Sequence, residues 1–255
     1  MKLLETVEKR LVIFAPSVNE MYPSGIVQNV GEQKGTFVEV KGYGHQMEGG
    51  SRPTFFRGVA TVVTKLFNII QVCLSISFGI GSRLIFSQPD NTYFGQKDIQ
   101  QALLLKRLCR DLFLTFPEYQ NLHIVPTARD PTDGLALSSR NIYLSSDGRK
   151  AASTLRQALL AAETAWYTGL TAFECLERAM QIIEVRKVQA SSEGLNVEMR
   201  LDYIQMNDAD TFDLLEPSSQ KSGDGRLVIL SGALYLDKTR LIDNVLLGDS
   251  KKILD

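Results

Sequence analysis

The sequence is poor in the residues that metal centres and disulfide frameworks need. Its 255 residues hold three cysteines, Cys73, Cys109 and Cys175, far apart and without a CxxC pair. That excludes a disulfide scaffold or a structural zinc site and suits a reducing compartment, so a cytoplasmic protein is expected. Histidine is scarcer still: His45 and His123 are the only two, which excludes a histidine-rich metal centre. A net charge of -1 with no long basic block argues against general nucleic-acid binding. Long hydrophobic runs are missing as well. The most apolar stretch, residues 66–86, is interrupted by Asn68, Gln71, Gly79, Gly81 and Arg83. It falls short of the ~20 residues a bilayer span requires, so no membrane association is expected. No secretory signal is visible at the start. There is no internal repeat, and Gly79-Ile80-Gly81 lacks the third glycine of a dinucleotide fingerprint.

What is present has the balance of a soluble globular protein, 44% hydrophobic and 22% charged, long enough for one or two domains. The stretch that organises it is Tyr93-Phe94-Gly95-Gln96-Lys97-Asp98, followed by Ile99-Gln100-Gln101. A short β-type run ends at a glycine, and an apolar-periodic helix starts at Ile99. Strand, glycine turn and helix offer backbone N–H groups to a phosphate. Asp98 is placed to cap the helix, and Lys97 to reach an anion at the same edge. By themselves these residues fit a solvated turn as well.

Along the chain, residues 11–15 read as a buried strand closed by Pro16, residues 19–25 as a loop, and residues 36–40 as a strand between glycines. Val59, Val62, Val63, Leu66, Phe67 and Ile70 repeat as one face of a helix. Arg52 and Arg57 precede it and are either surface arginines or anion ligands. A second helix is expected over residues 99–112, with Leu103, Leu104 and Leu108 inward, and a strand over residues 123–126, with His123 at the core edge. Residues 133–141 then form a cluster rich in donors, Gly134-Leu135-Ala136-Leu137-Ser138-Ser139-Arg140-Asn141. Its hydroxyls and guanidinium suit a polyphosphate, or a helix cap beside a surface arginine. Beyond it, residues 147–167 read as one alanine-rich helix closed by Gly169. Thr171 and Glu174 form a capping box for a helix to about Val188. Strands follow at 199–206, 227–236 and 240–246, with a polar loop at 216–225, which points to a small α+β domain.

Four motifs in this order resemble the pantothenate synthetase (pantoate–β-alanine ligase) family. They are Glu20-Met21-Tyr22-Pro23, then the run from Arg52-Pro53-Thr54-Phe55-Phe56-Arg57-Gly58-Val59 to Leu66, then Tyr93 to Asp98, then Gly134 to Asn141. The likeness reaches to about Leu246, and the Glu32-Gln33-Lys34-Gly35 segment and Phe56 look like its fungal branch. It implies an α/β fold: a Rossmann-like nucleotidyltransferase (HIGH superfamily) domain over residues 1–148 and a small α+β lid domain over residues 149–255. It also implies a homodimer. The implied reaction joins pantoate and β-alanine through a pantoyl adenylate, consuming ATP with Mg²⁺ and releasing pyrophosphate and AMP, a step of coenzyme A synthesis. By motif, Gly95, Gln96, Lys97 and Asp98 would bind ATP, with Lys97 on the phosphates and Asp98 near the ribose. Gln101 would bind pantoate, and Ala128 would contact adenine. Leu137, Ser138, Ser139 and Arg140 would hold the phosphates. Lys97 and Arg140 would carry catalysis by neutralising charge that builds on the α-phosphate and pyrophosphate.

Two departures from the family pattern stand out. The His-x-Gly-His motif that packs on ATP is absent, as is the Phe-Val-Asn-Pro-x-Gln-Phe segment whose glutamine binds pantoate and β-alanine. The sequence is therefore expected to start partway through the first domain, to leave a sheet edge unpaired, and to be inactive alone. A non-catalytic remnant acting as a dimerisation or regulatory partner is the alternative. The second departure is the stretch 72–88, seventeen residues whose removal joins Gln71 to Pro89-Asp90 and restores the pattern. Val72-Cys73 can be encoded GTATGT and Gln88 CAG, the ends of a fungal intron, so an insertion or retained intron is expected there.

Overall fold

The computed structural model describes residues 13–44, 46–52, 54–70, 72–77, 82–87 and 91–254. In chain order the elements are helices α1 (Val18–Met21), α2 (Glu48–Ser51) and α3 (Phe55–Ile69), then strands β1 (Val72–Ser77), β2 (Ser82–Ser87) and β3 (Thr92–Gly95). Helix α4 (Ile99–Asp111) and strand β4 (Leu122–Val125) follow. Helices α5 (Ser146–Ala151), α6 (Thr154–Tyr167) and α7 (Ala172–Ser192) precede strands β5 (Met199–Asp208), β6 (Val228–Leu236) and β7 (Thr239–Leu247).

Strands β3 and β4 pair in parallel, Thr92 opposite Leu122 and Gly95 opposite Val125, and α4 makes the crossover between them. Leu122 and Ile124 are fully buried. Leu254 forms an isolated parallel bridge to Ile124. Helix α3 buries Phe56, Ala60, Val63 and Phe67, one face at helical spacing, and packs with α4, which buries Leu104, Leu105 and Leu108.

The three-stranded antiparallel sheet has the order β5-β6-β7. Its middle strand serves two cores because alternate residues point to opposite faces. Val228, Leu230, Leu234 and Leu236 pack on the alanine-rich faces of α6 and α7, with Ala158, Ala162, Ala179 and Ile183. Ile229 and, from β7, Leu246 join the core of α3, α4, Leu122 and Ile124. The sheet is thus buried on both sides, and its second face presses against the parallel pair. Cys109 and Cys175 are buried free thiols, each pushed up to about 11 by burial, which keeps them inert.

Several sequence expectations are corrected. Ile13 and Phe14 lie in an irregular, solvent-exposed segment rather than a buried strand; residues 11 and 12 lie outside the described residues. Among the described residues no ladder partner is available to this segment, and β structure needs one. Residues 36–40 are extended without a sheet; the Thr61 hydroxyl on α3 accepts from Val38 N–H at 3.0 Å in place of a strand. Part of the 19–25 loop is the single turn α1, closed by a capping box of Ser17 and Glu20. The expected helix over 147–167 is broken between α5 and α6, at Ala152 and Ser153. Residues 72–77 and 82–87, inside the stretch expected to be an insertion, pair as an antiparallel hairpin, Val72 opposite Ser87, which leaves that expectation standing. The capping box of Thr171 and Glu174, the strand pair around α4 and the three C-terminal strands stand where the pattern put them.

Candidate functional site

The carboxyl ends of parallel strands are where open α/β folds place ligands, because the strand-to-helix turns there expose backbone donors. In this structure β3 and β4 both end at one cleft of about 560 Å³. Gly95 closes β3, and Lys97, Asp98 and Gln101 follow on the turn and first turn of α4. Val125, Pro126, Thr127 and Ala128 continue β4 along the opposite wall. The third side is the segment Leu137-Ser138-Ser139-Arg140, and the floor is the antiparallel sheet, through Tyr203, Ile242 and Asn244. Lys97 and Arg140, 43 positions apart in sequence, therefore face the same space.

Local chemistry explains the shape of the third side. Gly134 takes φ of 74°, which favours glycine over residues with a Cβ. The turn before it is tied by Asp130 accepting from Thr132 N–H at 2.9 Å and Asp133 accepting from Leu135 N–H at 3.1 Å. Arg149 on α5 clamps both carboxylates, at 2.7 Å to Asp130 and 2.5 Å to Asp133. Leu137 N–H then donates to Ala128 O at 2.9 Å, which joins two of the residues that family likeness assigns to the nucleotide. Ser138 caps the short 3₁₀ turn that follows by accepting from Arg140 N–H at 3.2 Å.

The carboxylate cluster gives a pH signature. Asp133 is held below its ordinary range by the Arg149 hydrogen bonds and by Leu135 N–H, and Asp130 by Thr132 N–H and Arg149. A depressed folded value contributes stability that is complete above the unfolded value and lost as pH falls through the folded one. The urea midpoint should therefore drop between pH 5 and pH 3. Asp133→Asn should show a smaller drop over that interval. An equal drop in both proteins would remove the cluster from the account.

Of the residues singled out from sequence, Gly95, Lys97, Asp98, Gln101, Ala128, Leu137, Ser138, Ser139 and Arg140 all line the cleft. Gln96 does not. It is buried, and its side chain donates to Asn244 at 3.2 Å, because the 3₁₀ turn rolls it away from the opening. Asp98 stands at the N-cap position of α4 but makes no side-chain bond to it; its carboxylate lies 4.0 Å from the Lys97 ammonium. The two arginines before α3 separate. Arg52 lines the cleft, its guanidinium over the Phe55 ring at 3.7 Å, whereas Arg57 lies outside it and covers Phe37. His123 is a core-edge residue, stacked on Tyr93 and bonded to Asn91 at 2.8 Å.

Sequence reasoning missed the floor. Arg240 on β7 makes a fork to Glu48 on α2, at 2.7 and 2.9 Å, and bonds Asp202 at 2.9 Å; the Tyr203 hydroxyl donates to Glu48 at 2.8 Å. Burial and then the Glu48 charge push the Tyr203 hydroxyl well above its usual range. Burial lowers the Arg240 value, but the bonds to Glu48 and Asp202 outweigh it and hold the cation firmly charged. Gln100, buried on α4, accepts from Glu48 N–H at 3.1 Å and so joins α2 to the first turn of α4. The only sequence signal for these contacts is polarity on an otherwise apolar strand, at Arg240, Asp243 and Asn244.

Comparison with known proteins decides the family. The sequence matches the Pantoate-beta-alanine ligase family over residues 1–81 and 82–246, nearly its whole length. The chain belongs to the pantoate–β-alanine ligase family. It is 41% identical to the pantothenate synthetase of Moorella thermoacetica, over 92% of this chain and 67% of that protein. It is 38% identical to the pantoate–β-alanine ligase of Saccharomyces cerevisiae, over 96% of this chain and 74% of that one. The crystal structure of pantothenate synthetase from Thermus thermophilus superposes with a TM-score of 0.70 at 34% identity, covering 96% of this chain and 72% of that chain. The architecture is accordingly the α/β nucleotidyltransferase type, a parallel sheet with helices and a small antiparallel sheet beside it. Membership makes the chain one of a family of enzymes, ligases of pantothenate synthesis. The two matched segments meet between residues 81 and 82, inside the stretch 72–88. No described helix is long and apolar enough to cross a membrane.

Proposed function

We propose that the cleft binds ATP and pantoate for the adenylate route to pantothenate. The observation that carries this reading is the convergence of Lys97, Arg140 and Arg52 on one cleft at the carboxyl ends of two parallel strands. Pantoate's carboxylate attacks the α-phosphorus, the bond to pyrophosphate breaks, and the amine of β-alanine then displaces AMP from the acyl adenylate. The first step brings two anions together and loads negative charge on the α-phosphate and the leaving group. Fixed cations lower that barrier without a protein nucleophile. Lys97 meets the phosphates from the β3 side, Arg140 and the hydroxyls of Ser138 and Ser139 from the other. Gln101 orients pantoate, Asp98 meets the ribose, Ala128 contacts adenine, and Leu137 belongs with the segment on the phosphates.

Among the described residues no three potential ligands gather to hold a metal. Glu48 and Asp243 in the cleft are already engaged by arginines. Mg²⁺ therefore fits as an ion carried on the phosphate oxygens, where it would offset their charge. Residues 1–148 read as part of the nucleotide-binding domain and residues 149–255 as its lid, in a homodimeric, cytoplasmic enzyme.

The polypeptide 1–255 contains no His-x-Gly-His sequence. Given ATP, Mg²⁺, pantoate and β-alanine, it should form no pantothenate at an enzymatic rate. A fusion supplying a relative's His-x-Gly-His segment ahead of residue 1 should restore it. The restored protein should exchange labelled pyrophosphate into ATP only when pantoate is present, and without β-alanine. Turnover by 1–255 alone would overturn the need for that segment. A fusion that folds and binds ATP but shows no exchange would favour a non-catalytic partner role.

A further inference from the structure

One dipeptide on the antiparallel sheet touches both cationic sides of the cleft, by separate bonds. Asn244 is 2% exposed. Its amide nitrogen donates to the carbonyls of Gln96 and Lys97, at 2.9 and 3.0 Å, and its oxygen accepts from the Gln96 side chain. Asp243 is 5% exposed and accepts both arms of the Arg129 fork, at 2.8 and 2.9 Å. Arg129 also donates to Gly134 O at 3.1 Å. It therefore holds the loop that leads to Ser138 and Arg140. Asn244 N–H donates to the Asp243 carboxylate at 2.8 Å, which ties the two holds together.

We infer that Asp243 and Asn244 are positioning residues that set the separation of Lys97 from the Ser138–Arg140 segment, and with it the length of polyphosphate the cleft accepts. This rests on the phosphate reading given above. Two cations on separate loops bind a polyanion strongly only when their spacing is set beforehand, because ordering the loops otherwise consumes binding energy. The bonds within the Lys97 turn and within the 129–140 loop shape each segment but do not fix one relative to the other. A buried amide with both protons engaged, beside a fork-paired carboxylate, supplies the rigidity they lack.

The two holds act on different sides, so their effects should separate. Inorganic tripolyphosphate is titrated calorimetrically into the 1–255 protein. Asn244→Asp, which turns a carboxylate toward two carbonyls, and Asp243→Asn, which weakens the Arg129 fork, should each lower affinity at least about fivefold. In a Lys97→Ala background, Asn244→Asp should add less than twofold while Asp243→Asn keeps its full effect. In an Arg140→Ala background the pattern should reverse. Equal losses in both backgrounds are what a merely structural role gives, and they would overturn the inference. Without ligand, Asn244→Asp should speed amide exchange at 96–98 only, and Asp243→Asn at 129–140 only; uniform change or none also overturns it. Should Asp243→Asn fail to fold, Arg129→Lys, which keeps the charge and loses the fork, replaces it. If the unaltered protein takes up no tripolyphosphate, the phosphate reading falls, and the exchange pattern by itself decides whether the dipeptide pins the two segments.

Discussion

Arg240→Met should lower unfolding free energy by about 3–5 kcal/mol, the cost of breaking a buried ion pair from one side. The Arg240 side chain is 13% exposed and its partner Glu48 16%, so solvent screens the pair weakly. Removing the guanidinium takes the cation from both Glu48 and Asp202, while the Tyr203 hydroxyl still donates to Glu48. The double variant Glu48→Gln with Arg240→Met should be less destabilised than the sum of the single variants, because the carboxylate that would be stranded is gone as well. Urea unfolding of the three proteins checks this. A loss under about 1 kcal/mol for Arg240→Met would mean that the fork behaves as an exposed pair does.

Replacing both Lys97 and Arg140 by alanine should lower tripolyphosphate affinity by about 10²–10⁴. A hydrogen bond to a charged group contributes roughly 1.5–3 kcal/mol, and two of them act from opposite sides of the cleft. The single variants should each account for about half of the loss in free energy. Calorimetric titration at fixed ionic strength measures it, since screening weakens exposed charges. The same double change should leave the urea midpoint close to that of the unaltered protein, because among the described residues neither side chain makes a short ion pair: Lys97 stands 4.0 Å from Asp98, and Arg140 donates to Arg240 O at 3.5 Å. A double variant that binds as well as the parent would leave the cleft without its chemistry.

The exposed segment at Ile13 and Phe14 shows where a sequence pattern misleads. An apolar run such as residues 11–15 forms no strand unless a neighbour offers its backbone. The broken helix at Ala152 and Ser153 has the same origin. Helix propensity is high on both sides and neither proline nor glycine stands at the joint, so residue preference alone does not place the break.

Local order was readable from the chain alone. Periodicity marked α3, α4 and the three C-terminal strands; a glycine at the end of an apolar run marked the turn that carries Lys97; Thr171 with Glu174 marked a helix start. Each depends on interactions within a few residues, so spacing encodes it. The motif string also carried the family, and nine of the ten residues it singled out line one cleft. What no spacing encodes is which distant residues meet. Asn244 reaches Gln96 across 148 positions, and Arg240 reaches Glu48 across 192. Those contacts exist because the antiparallel sheet is buried on both faces, so that polar residues on β7 must find partners on the side of the parallel strands. Folding of the whole chain, and not any stretch of it, decided the floor of the cleft.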